Sequence, residues 1–273
     1  MPTATASPKT DLKALTRELR VDIIRMIEAA GNGHPGGSLS IIDILTVLYW
    51  KFLKHDPKNP GWQDILSKGH ACPALYAVMS KRGYFPHDEL LTLRKLGSPL
   101  QGHPDRMRLP GIEFSTGSLG QGLSVAVGMA LAAKMDKKDW KTYVALGDGE
   151  MQEGQNWEAF MSAPKWKLDN LVMILDHNNG QIDGTVEQVM NIEPVADKLR
   201  AFNWNVQLVD GHDLDAIAKA LTNAQTLGGK PHAIIAKTIK GKGVSFMENN
   251  IAWHGNAPKK EDADKAVKEI LDA

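Results

Sequence analysis

Two stretches decide the fold of this chain: YVALGDGEMQEGQNWEAF (143–160) and LVMILDHNNGQIDG (171–184). Each opens with a short run of apolar and β-branched residues, which is typical of a strand covered on both faces of a sheet. Each run then enters a polar turn, around Asp148 in the first stretch and around Asn178 in the second. The helical residues between them are enough for one crossover, so the two strands are predicted to lie parallel and adjacent.

The same alternation continues on both sides of these stretches. Further strands are predicted at 206–209 and 233–236, and helices at 11–30, 118–135, 153–167, 194–202 and 214–226. The sequence Ser40-Ile41-Ile42-Asp43 resembles a capping box that would open another, buried helix. We therefore predict one doubly wound α/β domain over 11–273, with helices on both faces of a parallel sheet, after a flexible tail at 1–10. Ligands of such folds bind at the carboxyl ends of the strands.

Composition narrows the function classes. Lys+Arg and Asp+Glu both number 32, and this balance favours neither nucleic acid nor an anionic membrane as a partner. The one cysteine, Cys72, has no internal disulfide partner, which favours a reducing compartment. The longest apolar stretch, 41–52, contains Asp43 and Lys51 and is too short to span a bilayer, and residues 1–10 lack the features of a signal peptide. A cytoplasmic chain is expected.

The two turns carry the ligands of a metal site. Asp148 and Asn178 are thirty positions apart, which places them at the carboxyl ends of neighbouring predicted strands. A carboxylate, an amide oxygen and a loop carbonyl suit Mg²⁺, with phosphate oxygens completing the coordination shell. The glycines around Asp148 allow backbone N–H groups to approach a diphosphate, and the helix that begins near Glu153 points its positive end there. Either turn alone would be an ordinary turn after a strand. Together, at this spacing, they resemble the GDG…N motif of thiamine-diphosphate enzymes, and this resemblance favours the site.

Other nucleotide-binding motifs are absent from the sequence. It contains no G-x-x-x-x-G-K-[ST], and Gly241-Lys242-Gly243 lacks both the preceding spacing and the hydroxyl residue. The segment GSLGQG (117–122) has its glycines in the reverse order from the dinucleotide fingerprint.

Four of the nine histidines lie in glycine-rich or tight-turn settings: His34, His70, His103 and His254. One such histidine is usually a turn or surface residue, but four predict a cleft whose imidazoles bind hydroxyls and move protons near neutral pH. A zinc site is less favoured because no pair has a zinc-ligand spacing. His55, His87 and His232 are interpreted as surface or structural residues, and His212, in a turn after a strand, has no assigned role.

Together these motifs resemble the N-terminal, diphosphate-binding half of the transketolase family, in order over roughly residues 10–260. The segments that carry the resemblance are GHPGGSLS (33–40), LSKGHACPALYA (66–77), GHPD (102–105), STGSLGQGLSVAVGMA (115–130), GDGEMQEGQNWEA (147–159), DHNNGQIDG (176–184) and KTIKGKGVSFMENNIAWHG (237–255).

The resemblance implies thiamine diphosphate and Mg²⁺ as cofactors, with Ca²⁺ or Mn²⁺ able to replace Mg²⁺. Substrate-channel and proton-transfer roles fall to the four histidines: His34, His70, His103 and His254. The implied metal ligands are Asp148, Asn178 and the carbonyl of Gly180, and Asn178 would also bind the cofactor.

It also implies that Gly149 and Glu150 lie along the diphosphate and that the segment Gly117, Ser118 and Leu119 contacts the cofactor's rings. Two residues depart from the family pattern, since Ser118 replaces a common proline and Gly180 replaces a bulkier residue. Glu153 would couple paired active sites, or it is simply an acidic residue favoured at a helix start.

In this family the pyrimidine-activating glutamate lies on a second domain, contributed by the other member of the dimer, and the present sequence reaches Ala273 without that domain. The resemblance therefore implies one subunit of a split transketolase. It would transfer a two-carbon ketol unit from a ketose phosphate to an aldose phosphate together with a C-terminal subunit, as a homodimer within an α2β2 assembly.

Two other functions stay open at this point. The α subunit of a 2-oxo-acid dehydrogenase also carries such a metal motif, although its substrate has no chain of hydroxyls that needs four imidazoles. A synthase of the 1-deoxyxylulose-phosphate type is disfavoured by GHPD (102–105). A non-catalytic cofactor-binding protein is the second alternative, and the intact metal and histidine sets weigh against it.

Overall fold

A parallel sheet of five strands organises the described part of the chain. The computed structural model describes residues 10–57 and 64–273, so the tail predicted at 1–10 lies, apart from Thr10, outside the described residues. The strands in chain order are β1 (Asp64–Leu66), β2 (Thr142–Gly147), β3 (Leu171–His177), the two-residue strands β4 (Gly180–Gln181) and β5 (Gly184–Thr185), β6 (Asn205–Asp210) and β7 (His232–Lys237). The sheet has the order β1-β2-β3-β7-β6, and β4 and β5 form a separate antiparallel hairpin.

The two decisive stretches are neighbours in this sheet. Strands β2 and β3 are parallel, and Gly147 pairs with Asp176, so the turns that follow them begin at the same level of the carboxyl edge. The predicted strands appear with slightly wider bounds, and β1 is an additional strand. At three residues, β1 is too short for a periodicity to reveal it.

Helices cover both faces of the sheet, which confirms the predicted α/β class. They are α1 (Leu12–Ala30), α2 (Pro35–Val47), α3 (Cys72–Lys81), α4 (Gln121–Met135), α5 (Gly154–Lys165), α6 (Val186–Met190), α7 (Val195–Ala201), α8 (Leu214–Thr226) and α9 (Lys260–Asp272). Successive side chains of β2 alternate between two apolar cores. One core contains side chains of α1, α2, α3, α8 and α9, and the other contains side chains of α4, α5, α6 and α7.

The capping box predicted at Ser40 is wrong. Helix α2 begins at Pro35, where a fixed φ and a missing N–H are well tolerated, and His34 occupies the N-cap position. Ser40 therefore lies inside the buried helix, with its Oγ 3.1 Å from the carbonyl oxygen of Gly37 and 2.6 Å from Asp176 Oδ2. Local sequence suggested a cap, but the side chain is used in a tertiary contact with the end of β3.

A buried ionic cluster ties α2 to α1 and to the loop after β7. Arg20 donates to both carboxylate oxygens of Asp43, at 3.1 and 2.5 Å. His212 Nδ1 lies 2.7 Å from Asp43 Oδ2, and His212 Nε2 accepts a hydrogen bond from the backbone N–H of Ile239 at 2.8 Å. His212, for which the sequence indicates no role, thus joins α2 to the loop that carries Lys240. Burial alone would raise the pKa of Asp43, but Arg20 and His212 outweigh it and hold that pKa below its usual value.

Within residues 10–57 and 64–273, the structure contains no helix with the length and apolar character that crossing a bilayer requires.

Replacing the central carboxylate of this cluster should destabilise the fold. We expect Asp43→Asn to lower the free energy of unfolding by about 3 to 5 kcal/mol, because it leaves a buried guanidinium without its counter-charge. The wild-type pair should lose its contribution only in acid, as the pH falls through the lowered pKa of Asp43. Urea unfolding followed by circular dichroism measures both effects.

The matched control is Asp197→Asn, which breaks an exposed pair with Arg200 and should leave the unfolding midpoint unchanged. Equal midpoints for wild type and Asp43→Asn would show that the cluster contributes nothing to stability.

Candidate active site

A cavity of about 300 Å³ opens at the carboxyl edge of the sheet, between the ends of β2, β3 and β7. The structure brings eleven of the twelve residues predicted for the site into its lining: His34, His70, His103, Gly117, Leu119, Asp148, Gly149, Glu150, Asn178, Gly180 and His254. Ser118 is exposed and does not line the cavity, whereas Glu153 lies on its wall.

The four histidines form one cluster although they come from four separate segments. His34 caps α2, His70 lies in the helical turn 69–71, His103 lies in the loop before α4, and His254 follows the turn 251–253. The ring centroid of His34 is 5.4 Å from that of His70, 6.2 Å from that of His103 and 5.5 Å from that of His254. The rings of His70 and His254 stack at 5.3 Å.

Burial keeps these imidazoles neutral. It lowers the pKa of His34 to about 4, with help from Arg94, and it lowers the pKa of His254 to about 3, with help from Lys240. Burial also holds the pKa of His70 and of His103 below the usual value. A neutral imidazole has one donor and one acceptor nitrogen, so near neutral pH the cluster can both give and receive hydrogen bonds from a polyhydroxylated ligand.

Arg94 orients one of these rings. Its guanidinium lies 3.3 Å from His34 Nδ1 and donates to the carbonyl oxygen of Gly102 at 3.2 Å. Because the guanidinium only donates, Nδ1 of His34 is the acceptor and the ring proton is on Nε2. Sequence reasoning missed Arg94, whose one signal is its position shortly before GHPD (102–105).

Next to the histidines lies a set of oxygen atoms from the β2 and β3 turns. Asp148 Oδ1 accepts from the N–H of Gly149 at 2.8 Å, and its other carboxylate oxygen accepts from the N–H of Asn179. Asn178 Oδ1 accepts from the N–H of Gly180 at 3.0 Å. Among the described residues no group of three or more His, Cys, Asp or Glu side chains could hold a metal. The available donors are a carboxylate, an amide and a carbonyl, which are hard oxygen ligands.

The negative charge around Asp148 fits a divalent cation. Burial raises the pKa of Asp148, and the nearby carboxylate of Asp176 raises it further. A cation held by Asp148, Asn178 and the Gly180 carbonyl would relieve this excess of negative charge and suits the chemistry of the donor set.

Two buried lysines also line the cavity and fit an anion. Lys68 follows β1 and is 1% exposed, and Lys240 follows β7 and is 2% exposed. Lys240 Nζ donates to the Gly180 carbonyl at 3.0 Å, and its pKa falls to about 8 because of burial and the neighbouring charge of Lys68. Sequence reasoning missed both residues, since each lysine lies beside glycine in a polar turn and has no local signal of burial.

The completely buried Asp176, at the end of β3, connects these groups. It forms an ion pair with Lys68 and hydrogen bonds with Ser40, Thr238 and Asn178. Burial alone would raise the pKa of Asp176, but Lys68 and the hydroxyl donors hold it below its usual value. The carboxylate therefore stays charged and fixes the ammonium of Lys68 at the cavity wall.

Comparison with known protein families and structures identifies the family of this chain. Residues 11–272 match the family described as "Transketolase, thiamine diphosphate binding domain". A 6-deoxy-6-sulfo-D-fructose transketolase subunit, SqwG, from a Clostridium species is 46% identical over 264 residues, which are 95% of this chain and 96% of that protein. An apulose-4-phosphate transketolase subunit from Phocaeicola vulgatus is 42% identical over 95% of this chain and 93% of that protein.

The fold agrees with a solved transketolase. The crystal structure of transketolase from Campylobacter jejuni superposes with a TM-score of 0.89 at 37% identity, covering 95% of this chain and 42% of that one. The present chain thus spans nearly the whole of the two subunits and about two fifths of the solved transketolase. The match over almost all of its length places this chain in the transketolase family, whose thiamine diphosphate-binding domain it carries.

Proposed function

We propose that this chain is the cofactor-binding subunit of a two-subunit transketolase, which moves a two-carbon ketol unit from a ketose phosphate to an aldose phosphate. The observation that carries the proposal is that one cavity is lined by four neutral histidines, by the oxygen ligands of Asp148, Asn178 and Gly180, and by two buried lysines. A cofactor with a metal-bound diphosphate matches the oxygen set and the lysines, and a polyhydroxylated substrate matches the histidines.

In this proposal Mg²⁺ is held by Asp148, Asn178 and the carbonyl of Gly180, with Ca²⁺ or Mn²⁺ as substitutes. The backbone at Gly149 and the ammonium groups of Lys68 and Lys240 hold the diphosphate, near the beginning of α5. The segment 117–119 holds the ring system. When bound, thiamine diphosphate supplies the electron sink for breaking and forming a carbon–carbon bond beside a carbonyl.

The histidines would bind substrate hydroxyls and hold protons next to the reacting carbons. His34 presents its protonated Nε2, because Arg94 donates to Nδ1. His254 Nδ1 is buried and has no hydrogen-bond partner among the described residues, so it is available to a hydroxyl of the ligand. Since burial keeps the pKa of His34 at about 4 and that of His254 at about 3, each ring accepts a proton only transiently near neutral pH.

A second polypeptide would supply the pyrimidine-binding domain, and two copies of each chain would form an α2β2 assembly. Two relatives that this chain covers almost entirely are named as subunits, which supports a separate partner. Their names refer to a sulfo-sugar and to apulose 4-phosphate, so the sugar is best tested over several ketoses, beginning with those of the pentose phosphate pathway. The single cysteine favours the cytoplasm as the location.

Turnover should require the partner. We expect the purified chain alone to show no ketol transfer between xylulose 5-phosphate and ribose 5-phosphate, and co-expression with a C-terminal transketolase subunit to restore it. Product formation can be followed by mass spectrometry. Transfer by the chain alone, at the rate of a full-length transketolase, would contradict the split-subunit proposal.

The metal ligands can be tested through binding. Asp148→Asn should weaken Mg²⁺-dependent binding of thiamine diphosphate to the two-subunit complex by more than about tenfold, because an anionic metal ligand is lost. Isothermal titration calorimetry measures the affinity. Asp183→Asn is the matched control, since Asp183 is an exposed carboxylate on the wall of the same cavity and outside the donor set. Equal affinities for Asp148→Asn and wild type would remove Asp148 from the site.

The buried histidines should make the fold sensitive to acid. Because burial lowers the pKa of His34 to about 4 from an ordinary value of 6.5, the unfolded chain takes up its proton first. The stability that His34 contributes is therefore constant at pH values above its ordinary pKa of 6.5. It is lost as the pH falls from 6.5 through the lowered pKa of about 4. We expect the free energy of unfolding, measured with urea, to fall less between about pH 7.5 and about pH 5 in His34→Asn than in wild type.

Leu96→Asn is the control for this measurement, because Leu96 is fully exposed and does not titrate. Its loss of stability between the two pH values should equal that of wild type. An equally large loss in His34→Asn would mean that His34 does not titrate as a buried group.

A further inference from the structure

The carboxylate of Glu150 is enclosed by the protein, although the residue follows the metal-binding turn. Glu150 is 2% exposed. Its Oε1 accepts hydrogen bonds from the hydroxyl of Ser67 and from the N–H of Gly120 at 3.0 Å, and its Oε2 accepts from the N–H of Gly147 at 3.1 Å. Both oxygens are thus occupied by donors of the chain itself.

These three donors come from three different segments. Ser67 follows β1, Gly147 ends β2, and Gly120 ends the loop that leads into α4. The segments also approach each other closely, since a Cβ placed on Gly122 would collide with the Oγ of Ser67. One side chain therefore joins two strand ends to the beginning of α4.

The loop 117–120, which Glu150 contacts through Gly120, has a conformationally free backbone. Gly117 has a φ of 146° and Gly120 a φ of 86°, both in the region that favours glycine. A segment with such freedom keeps one conformation only when tertiary contacts hold it. In the proposed function this same segment, 117–119, holds the ring system of the cofactor.

Hydrogen bonding argues against contact between the Glu150 side chain and a diphosphate. Its two oxygens already accept three hydrogen bonds from the chain, at Oε1 from Ser67 and Gly120 and at Oε2 from Gly147. A carboxyl group occupied in this way offers no donor to phosphate oxygens.

We propose that Glu150 is a positioning residue: its side chain fixes the loop 117–120 against the ends of β1 and β2, so that the loop contacts the cofactor's rings, and Glu150 itself does not contact the diphosphate. The inference rests on the proposed function, because it assigns the rings to that loop. Different parts of the protein would then bind the two ends of thiamine diphosphate. The loop contacts the rings, whereas the lysines and the metal ligands bind the diphosphate.

Two probes distinguish a positioning role from a diphosphate contact: Mg²⁺ with thiamine diphosphate, and Mg²⁺ with inorganic diphosphate. We expect Glu150→Gln in the two-subunit complex to weaken binding of thiamine diphosphate by about tenfold, because Gln cannot accept from both Ser67 and Gly147 as the carboxylate does. Binding of inorganic diphosphate should stay within about twofold of wild type. The control is Glu158→Gln, which removes an exposed carboxylate of α5 and should change neither affinity.

Hydrogen–deuterium exchange gives a readout that does not need the cofactor. In Glu150→Gln the backbone amides of 115–122 should exchange faster, whereas those of α8 should not change. If Glu150→Gln fails to fold, Ser67→Ala removes a single donor and should produce the same pattern with about a threefold loss of affinity.

The proposal is overturned if Glu150→Gln weakens the binding of both probes equally or changes neither affinity. It is also overturned if hydrogen–deuterium exchange over 115–122 is the same as in wild type. Wild-type complex that binds no thiamine diphosphate and transfers no ketol unit would instead contradict the proposed function.

Discussion

The buried ion pair between Lys68 and Asp176 is the interaction on which the site depends. The carboxylate belongs to Asp176, the penultimate residue of β3, and also receives hydrogen bonds from Ser40 on α2 and from Thr238 after β7. Removing one partner from such a pair leaves an uncompensated buried charge, which is strongly destabilising. The parallel sheet brings these segments to one edge, and the ion pair holds them there. The cavity is built on this network, so its walls keep a fixed geometry before any ligand arrives.

Buried groups of both charges line the cavity. Burial raises the pKa of Asp148 and lowers the pKa of Lys240, and a neighbouring group of like charge, Asp176 or Lys68, adds to each shift. A cation at the carboxylate and an anion at the ammonium groups would offset these effects. A magnesium–diphosphate group carries those two charges in contact, and the neutral histidines leave room for hydroxyls beyond it. Buried carboxylates, buried lysines and neutral histidines are each common, but together they fit a metal-bound diphosphate with hydroxyl groups beside it.

Local sequence predicted the sheet and most of the cavity lining because both follow from short patterns. Apolar runs that end in polar turns place Asp148 and Asn178 at one edge whenever the strands are parallel neighbours. Burial of a lysine depends on distant segments, so no local pattern marks Lys68 or Lys240. Tertiary contacts also explain the error at Ser40, which resembles a cap in sequence but hydrogen-bonds with Asp176 in the structure. The exposure of Ser118 depends on how its loop packs, which no periodicity describes.

In the proposed function, the turns after β2 and β3 hold the metal–diphosphate end of thiamine diphosphate beneath the four histidines. The most direct measurement is a crystal structure of the two-subunit complex grown with thiamine diphosphate and Mg²⁺. We expect a metal bonded at about 2.1 Å to Asp148, Asn178 and the carbonyl of Gly180, with Lys68 or Lys240 against the diphosphate. Metal and diphosphate density elsewhere, with this cavity holding only water, would contradict it.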